Sequence, residues 1–359
     1  MLPTMSADTP QVSVITTVHN GARFLAAAIE CILAQRFTNF EYLLLDDAST
    51  DESGAIIARY AAADARIIPL YKPISINHSH ALNAALLHAR GEYVAILDAD
   101  DLAHPERLAR QVDYLIEHLD VGVVGAQVEQ IDDEARVKHA MTFPTSWALA
   151  RWTILFGTPV LHSAAMVRRA VLESIGGYSV QWKYANDYSL WAVLLDRTRI
   201  TNLPETLVSY RRHAQQTSST IATPQQGEVW LLIYRMLAER LGLRIALNDI
   251  GVLYHGVRRV LLADEASLLR AADLLMTIWK RYLAVEQPDP VTSDEITADC
   301  ARRMLTMAWT HRRSARDASR VVLQRAQSID PQLWQRPQTC SQLRRLHSKR
   351  AASTHDFRQ

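Results

Sequence analysis

The chain has 359 residues, enough for about two domains of ordinary size. With 48% hydrophobic and 21% charged residues it can bury a sizeable core, which excludes global disorder. A formal net charge of +1 gives no general attraction to nucleic acid or to a membrane surface. Cys31, Cys300 and Cys340 are too far apart for a zinc knuckle, and their odd number excludes a simple disulfide framework; a reducing cytosol suits them best. Met1 to Pro10 has neither the basic start nor the long apolar core of a signal peptide, and this stretch is expected to be disordered. No segment offers about 18 uncharged apolar residues, so no membrane span is expected.

The first half alternates strand-like and helix-like segments. Val12–Val18 is a β-branched run, and Ala22–Gln35 follows with Phe24, Leu25, Ala28, Ile29, Ile32 and Leu33 at helical spacing. Next come Tyr42–Leu45 (strand), Ser53–Ala62 (helix), Ile67–Tyr71 (strand) and Ser79–Ala89 (helix). Tyr93–Leu97 (strand), Pro105–His118 (helix) and the apolar run Val121–Val128 complete the series. This rhythm predicts an α/β fold, a mostly parallel sheet with helices on both faces. Right-handed crossovers then gather the strands' carboxyl ends along one edge. That edge carries Thr17-Val18-His19-Asn20-Gly21, Asp46-Asp47-Ala48-Ser49-Thr50-Asp51 and Asp98-Ala99-Asp100-Asp101.

From about Pro224 the strand signals stop. Val229–Leu241, Ile250–Leu262, Leu268–Leu283 and Asp294–Trp309 read as amphipathic helices, with Thr292-Ser293-Asp294-Glu295 in the form of a capping box before the last. The expected organisation is an α/β domain over 11–222, an all-helical C-terminal appendage over 223–335 and a basic, flexible tail over 336–359. The appendage fits plain packing, an acceptor platform or a homodimer surface, and the sequence leaves these open. The tail holds Arg344, Arg345, Lys349 and Arg350; a solubilising tail and a weak contact with an anionic membrane face both suit it.

The acidic stretch 98–101 carries the most chemistry. Carboxylates at a strand's carboxyl end, in an open α/β sheet, point into the crevice where ligands bind. Acids this close repel one another unless a cation sits between them, and a hard divalent ion completed by phosphate oxygens and water fits. A solvated turn opening the next helix is the plain alternative.

These pieces together resemble the family-2 glycosyltransferases. Val12 to Gly21 is similar to the family's opening strand and loop, Leu45 to Asp51 to its second-strand signature, and Gly91 to Leu108 to its metal-site segment and following helix. Pro159 to Ser163, Met166 to Arg169, Gly176-Gly177-Tyr178, Asn186 to Trp191 and Tyr210-Arg211-Arg212-His213 follow in the family's order, so the resemblance spans about Gln11 to Ser219. It implies the Rossmann-like GT-A fold and inversion at the anomeric carbon. It also implies a nucleoside-diphosphate sugar donor, UDP first among the nucleotides, and a divalent cation, Mn or Mg. The acceptor it implies is a hydroxyl of a glycan or glycosylated carrier. It further implies a place in polysaccharide biosynthesis, in the cytoplasm or at the inner membrane face, with no nucleic-acid partner.

The resemblance also assigns residues. Val18, His19 and Asn20 line the donor, with His19 against the nucleobase and Asp47 accepting from a base N–H. Asp98 and Ala99 face the ribose or a metal-bound water, and Asp100 ligates the metal. Asp101 is expected to cap or salt-bridge, and Asp51 to cap a helix. Asp187 matches the catalytic base, although an acid at a helix N-terminus also has a purely structural use. His162, Trp182, Asn186 and His213 are candidates for diphosphate or acceptor contacts, with structural roles open for each. Asn186 departs from the family's usual Glu, and an amide cannot carry charge as a carboxylate does.

Two other readings stay open. A nucleotidyltransferase would show a Gly-rich triphosphate loop after the first strand, which His19-Asn20-Gly21-Ala22-Arg23 lacks. A non-catalytic nucleotide-sugar or glycan-binding protein is kept open by Asn186. The sugar, the nucleoside, the acceptor and the linkage leave no readable code.

Overall fold

The structure is a computed structural model that describes residues 9–214, 216, 222–337 and 339. Most of Met1–Pro10 and of the tail, with Cys340, lies outside the described residues. The chain forms two compact units that meet in sequence between Leu232 and Ile233.

The first unit is built on one nine-stranded sheet. Its opening half follows the sequence pattern closely. Strand β1 (Val12–Val18) leads to helix α1 (Ala22–Leu33), β2 (Phe40–Asp46), α2 (Ser53–Ala63), β3 (Ile67–Tyr71), α3 (His78–Leu86) and β4 (Tyr93–Ile96). The pairs β1–β2, β2–β3 and β1–β4 are all parallel. β1, β2 and β4 are apolar and almost wholly buried, as parallel strands covered on two faces must be. Leu25, Ala28, Ile29 and Ile32 of α1 pack into the same core as Val12, Val14, Tyr42 and Leu44.

After β4 the chain departs from a simple βα repeat. A two-residue strand β5 (Leu102–Ala103) follows the acidic turn, then α4 (Arg107–Glu117), β6 (Val121–Ile131), β7 (Val137–Met141) and α5 (Trp147–Thr153). A short 3-10 turn (His162–Ala164) precedes β8 (Met166–Arg168), α6 (Arg169–Ser174), α7 (Asn186–Leu194) and β9 (Arg199–Arg211). The sheet order is β3-β2-β1-β4-β8-β6-β9-β5, with β7 on β6. Antiparallel pairing enters with β8, which lies between β4 and β6.

A buried cation braces this junction. The Arg107 side chain is fully buried. Its Nη2 donates to the carbonyls of Ile96 (2.8 Å) and Ala165 (3.1 Å), and its Nε to Gln111 Oε1 (3.1 Å). Gln111 in turn donates to the carbonyls of Val124 and Ala164. Burial lowers the Arg107 pKa to about 10, so the guanidinium keeps its charge at neutral pH.

From α8 (Ala222–Leu241) onward the chain is helical: α9 (Leu247–Val257), α10 (Glu265–Glu286), α11 (Pro290–His311) and α12 (Arg316–Ile329). The α11 start corrects the sequence reading. Asp289, not Thr292, is the N-cap, accepting from Val291 N and Thr292 N, and Pro290 takes the first helical position. The expected capping box lies one turn inside the helix because the Asp-Pro pair supplies a better start. Among the described residues no helix is long and apolar enough to cross a membrane.

Replacing Arg107 by Leu strands three acceptors in the core, the carbonyls of Ile96 and Ala165 and Gln111 Oε1. We expect the variant to lose about 3–5 kcal/mol of unfolding free energy, measured by urea titration. A loss within the usual surface-mutation range would show that the guanidinium is not a brace.

Candidate active site

The carboxyl ends of β1, β2 and β4 come together as the sequence pattern requires. Val18 pairs with Asp46 in register, and Thr16 Oγ1 donates to Leu97 O at 2.7 Å, so the residues after β4 run beside the end of β1. The β1 loop is tied to the β2 loop: His19 Nδ1 lies 2.7 Å from Asp47 O, Asn20 N donates to Ser49 Oγ, and Thr50 N donates to Asn20 Oδ1. Asn20 and Ala48 both take left-handed backbone angles to make these turns. The exposed His19 ring is thereby held in one orientation.

The acids of this edge divide by task. Asp46 Oδ1 accepts from Ser49 N within the β2 turn. Asp51 accepts from Ala22 N and Ser53 N, so it caps the start of α1 and α2 as expected. Asp47 is buried, and its two oxygens accept from Ser75 Oγ and Ile76 N at 2.8 Å each. It therefore anchors the loop before α3, and only the second lone pair of each oxygen remains for another donor.

The turn 98–101 places three carboxyls in four residues, and each has its own neighbour. Asp98 Oδ1 lies 3.4 Å from His162 Nδ1, and Asp98 N donates to Ser163 Oγ. Asp100 Oδ2 lies 3.0 Å from His213 Nε2. Asp101 is fully buried and accepts from Arg211 N at 2.8 Å. Burial pushes all three carboxyls upward, with different outcomes. For Asp98 the hydrogen bond and charge of His162 win, and its pKa falls. Asp100 stays raised by burial and by the Asp98 charge, against the pull of His213. Asp101 is raised well above the ordinary carboxylate range by burial, then by Asp100 and Asp98.

Two sheet contacts deliver the histidines. The β4–β8 pairing brings His162 beside Asp98, and the β5–β9 pairing brings residues 211–213 beside Asp100 and Asp101. Arg211 fixes the second contact: its Nε donates to Asp100 O, its Nη1 to the carbonyls of Asp132 and Asp133, and its guanidinium lies 4.5 Å over the Phe24 ring. The same ring lies 4.9 Å from His213.

His162 is buried and joined on its other side to Tyr178, with Nε2 at 3.0 Å from the phenol oxygen. Tyr178 is set by Gly176 and Gly177, both at positive φ, and by Asn83, which exchanges two hydrogen bonds with the Tyr178 backbone. His78 opens α3 from the far wall, with its ring 5.8 Å from His162 and its Nδ1 3.1 Å from Thr17 Oγ1. Loss of solvation lowers the His78 pKa to about 4 despite the Asp98 charge.

Asp187 lies in the first turn of α7 and accepts from Tyr188 N at 2.7 Å. Burial raises its pKa, offset in part by His162 and reinforced by Asp98. Asp98, His162 and Asp187 thus share one electrostatic environment. Burial disfavours the charged imidazole of His162, but Asp98 and then Asp187 reverse this and raise its pKa. Asn186 is buried; its Oδ1 accepts from Asp187 N, while its Nδ2 has no partner among the described residues. Trp182 is 9% exposed, the outcome of packing rather than of an open stacking face.

Two groups could hold a cation. Asp100 and His213 present a carboxylate and an imidazole in contact, a donor set that suits Mn²⁺ or Mg²⁺ when phosphate oxygens and water complete the shell. His78, Asp98 and His162 offer ligand atoms within 4.8 Å of one another.

Sequence reasoning missed His78 and Glu228, and quoted Arg107, Tyr178 and Arg211 within motifs without giving them a task. Glu228 of α8 accepts from Lys183 N (3.2 Å), Tyr184 N (2.8 Å) and Ala185 N (2.8 Å), and Gln225 Nε2 donates to Tyr184 O. This carboxylate ties down the loop that leads into α7. Hydrogen exchange tests it. In Glu228→Ala the amides of residues 183–185 should exchange roughly tenfold faster or more, the loss of charge-assisted bonds at 1.5–3 kcal/mol each. Unchanged protection would detach Glu228 from the loop.

The sequence profile described as Glycosyl transferase family 2 matches residues 13–176. A Bacillus subtilis protein described as "Putative glycosyltransferase EpsE" is 36% identical over 206 residues, which cover 56% of this chain and 73% of that protein. Among solved structures, S. aureus TarS 1-349 in complex with UDP-GlcNAc is similar with a TM-score of 0.53 at 17% identity, over 90% of this chain and 92% of that one. The mannosyltransferase PcManGT from Pyrobaculum calidifontis, in complex with GDP-Man and Mn²⁺, is similar with a TM-score of 0.50 at 20% identity, over 88% of each chain. These two likenesses establish a shared fold, that of GT-A glycosyltransferases.

Proposed function

This chain belongs to glycosyl transferase family 2, and from that premise we propose that it is an inverting transferase. It moves a single sugar from a nucleoside-diphosphate donor to a hydroxyl of a glycan or glycosylated carrier by direct displacement. The observation that carries this reading is the cleft itself, where Asp187 and the 98–101 turn face a common histidine, His162. Ligands named for the structural neighbours support the donor class: UDP-GlcNAc for TarS, GDP-Man for PcManGT. A UDP-sugar is the first donor to test.

Asp187 takes the acceptor proton. A base works best when its pKa approaches the working pH, and burial moves Asp187 in that direction. The amide at 186 adds no second negative charge that would drive it further. Asp98 and Ala99 face the donor ribose, Val18, His19 and Asn20 line the nucleotide, and Asp47 supports the base. Asp100 and His213 would hold a divalent cation, Mn²⁺ or Mg²⁺, which when bound would supply Lewis-acid stabilisation to the departing nucleoside diphosphate. The Mn²⁺ named for PcManGT supports that assignment.

Asp187→Asn should lower turnover by roughly 10²–10⁴-fold while calorimetric donor affinity is kept. Undiminished turnover would remove Asp187 from the role of base. The base must be ionised, so turnover falls as pH drops through its pKa. Because that pKa is raised, the acid limb of the kcat profile should lie above the ordinary carboxylate range.

Asp100→Ala should abolish the difference in donor affinity between Mn²⁺ and metal-free buffer. A variant that still gains affinity from Mn²⁺ would count against Asp100 as ligand.

A further inference from the structure

We propose that His78, Asp98 and His162 form a second cation site, selective for Zn²⁺-class transition metals and distinct from the Asp100–His213 pair. Three elements converge to build it: the first turn of α3, the end of β4 and the 3-10 turn before β8. Their ligand atoms lie within 4.8 Å of one another.

The spacing suits an ion as well as the direct contact. Asp98 Oδ1 and His162 Nδ1 are 3.4 Å apart, long for an N–H···O hydrogen bond. Two ligands at metal distances of about 2.0–2.1 Å in a tetrahedron are separated by roughly 3.4 Å, which is this distance. His78 completes the set by closing at most about 1.4 Å from the 4.8 Å limit of the cluster.

The surroundings resemble the outer shell of a metal centre. A metal-bound imidazole usually has its remaining nitrogen held by an oxygen. The His162 nitrogen away from Asp98 meets Tyr178 Oη at 3.0 Å, and Thr17 Oγ1 lies 3.1 Å from His78 Nδ1. Tyr178 is itself held by Asn83 through both backbone groups. Two imidazoles and one carboxylate suit Zn²⁺, Co²⁺ or Ni²⁺ rather than Mg²⁺. Three protein ligands leave the fourth tetrahedral position for water.

One consequence rests on the function proposed above. A metal here occupies the Asp98 carboxylate that faces the donor, so Zn²⁺ should compete with nucleotide sugar and inhibit transfer.

The test is a Co²⁺ titration of the full chain, without nucleotide, read by visible absorption. We expect one equivalent to give the intense bands of four-coordinate Co²⁺, displaced by Zn²⁺. His78→Gln should lose the bands, and Tyr178→Phe should weaken binding by about 10- to 100-fold. Asp100→Ala should keep them. The proposal is overturned if the wild type gives no such bands, if His78→Gln retains them, or if Asp100→Ala abolishes them. Since the readout needs no sugar transfer, its failure leaves the transferase reading intact, and absence of transfer leaves a Co²⁺ result intact.

Discussion

Three carboxyl groups within four residues, at the buried end of a strand, set the constraint around which this cleft is arranged. Two unit charges 4 Å apart repel by about 4 kcal/mol at an effective dielectric near 20, so such a turn is unstable without compensation. The fold supplies three different answers. Asp98 is set against His162, Asp100 against His213, and Asp101 is driven toward its neutral form beside the Arg211 amide. Beneath them the buried Arg107 adds a fixed positive charge whose field reaches Asp98 and Asp101.

Apart from Arg107, none of these partners is near the turn in sequence, and that accounts for the sheet's second half. A continued parallel βα repeat would bring no cation to residues 98–101. The antiparallel insertion of β8 beside β4 brings His162, and the two-residue β5 folds the chain back so that β9 can bring Arg211 and His213. The break in the repeat is therefore tied to the electrostatics of the site. It also explains why the opening strands and the start of β6 could be read from the sequence while β5 and β7 to β9 could not. Val12–Val18 is a β-branched run and Tyr93–Leu97 a continuous apolar one because both faces are covered. β9 reads Arg-Ile-Thr-Asn-Leu-Pro-Glu-Thr-Leu-Val-Ser-Tyr-Arg, with polar residues and a proline, and β5 is too short for any period. Their existence is decided by pairing with distant strands, which no local pattern records.

The site residues were legible to different depths for the same reason. Asp98, Asp100 and Asp187 stand at element ends, where a motif marks them. His78 follows Asn77, a residue forced to positive φ, and nothing in Ser-Ile-Asn-His-Ser-His marks one histidine as facing the cleft. Glu228 is one acid among several on a helix, and its three amide partners lie more than forty residues earlier. Asp187 is thus positioned from two directions, by the α7 first turn and by a helix that follows the sheet.

The charge balance of the cleft gives the proposed metal a reason independent of any motif. A nucleoside diphosphate entering this crevice meets Asp98, Asp100 and Asp187, while the facing cations are histidines already engaged by those acids. Arg107 is enclosed by carbonyls and its charge is committed to the strand junction. Arg211 is likewise spent on backbone oxygens and the Phe24 ring. A further anion is therefore repelled unless a cation arrives with it. These positive charges hold the acids in place, which is why the proposed function pairs a diphosphate donor with a divalent ion.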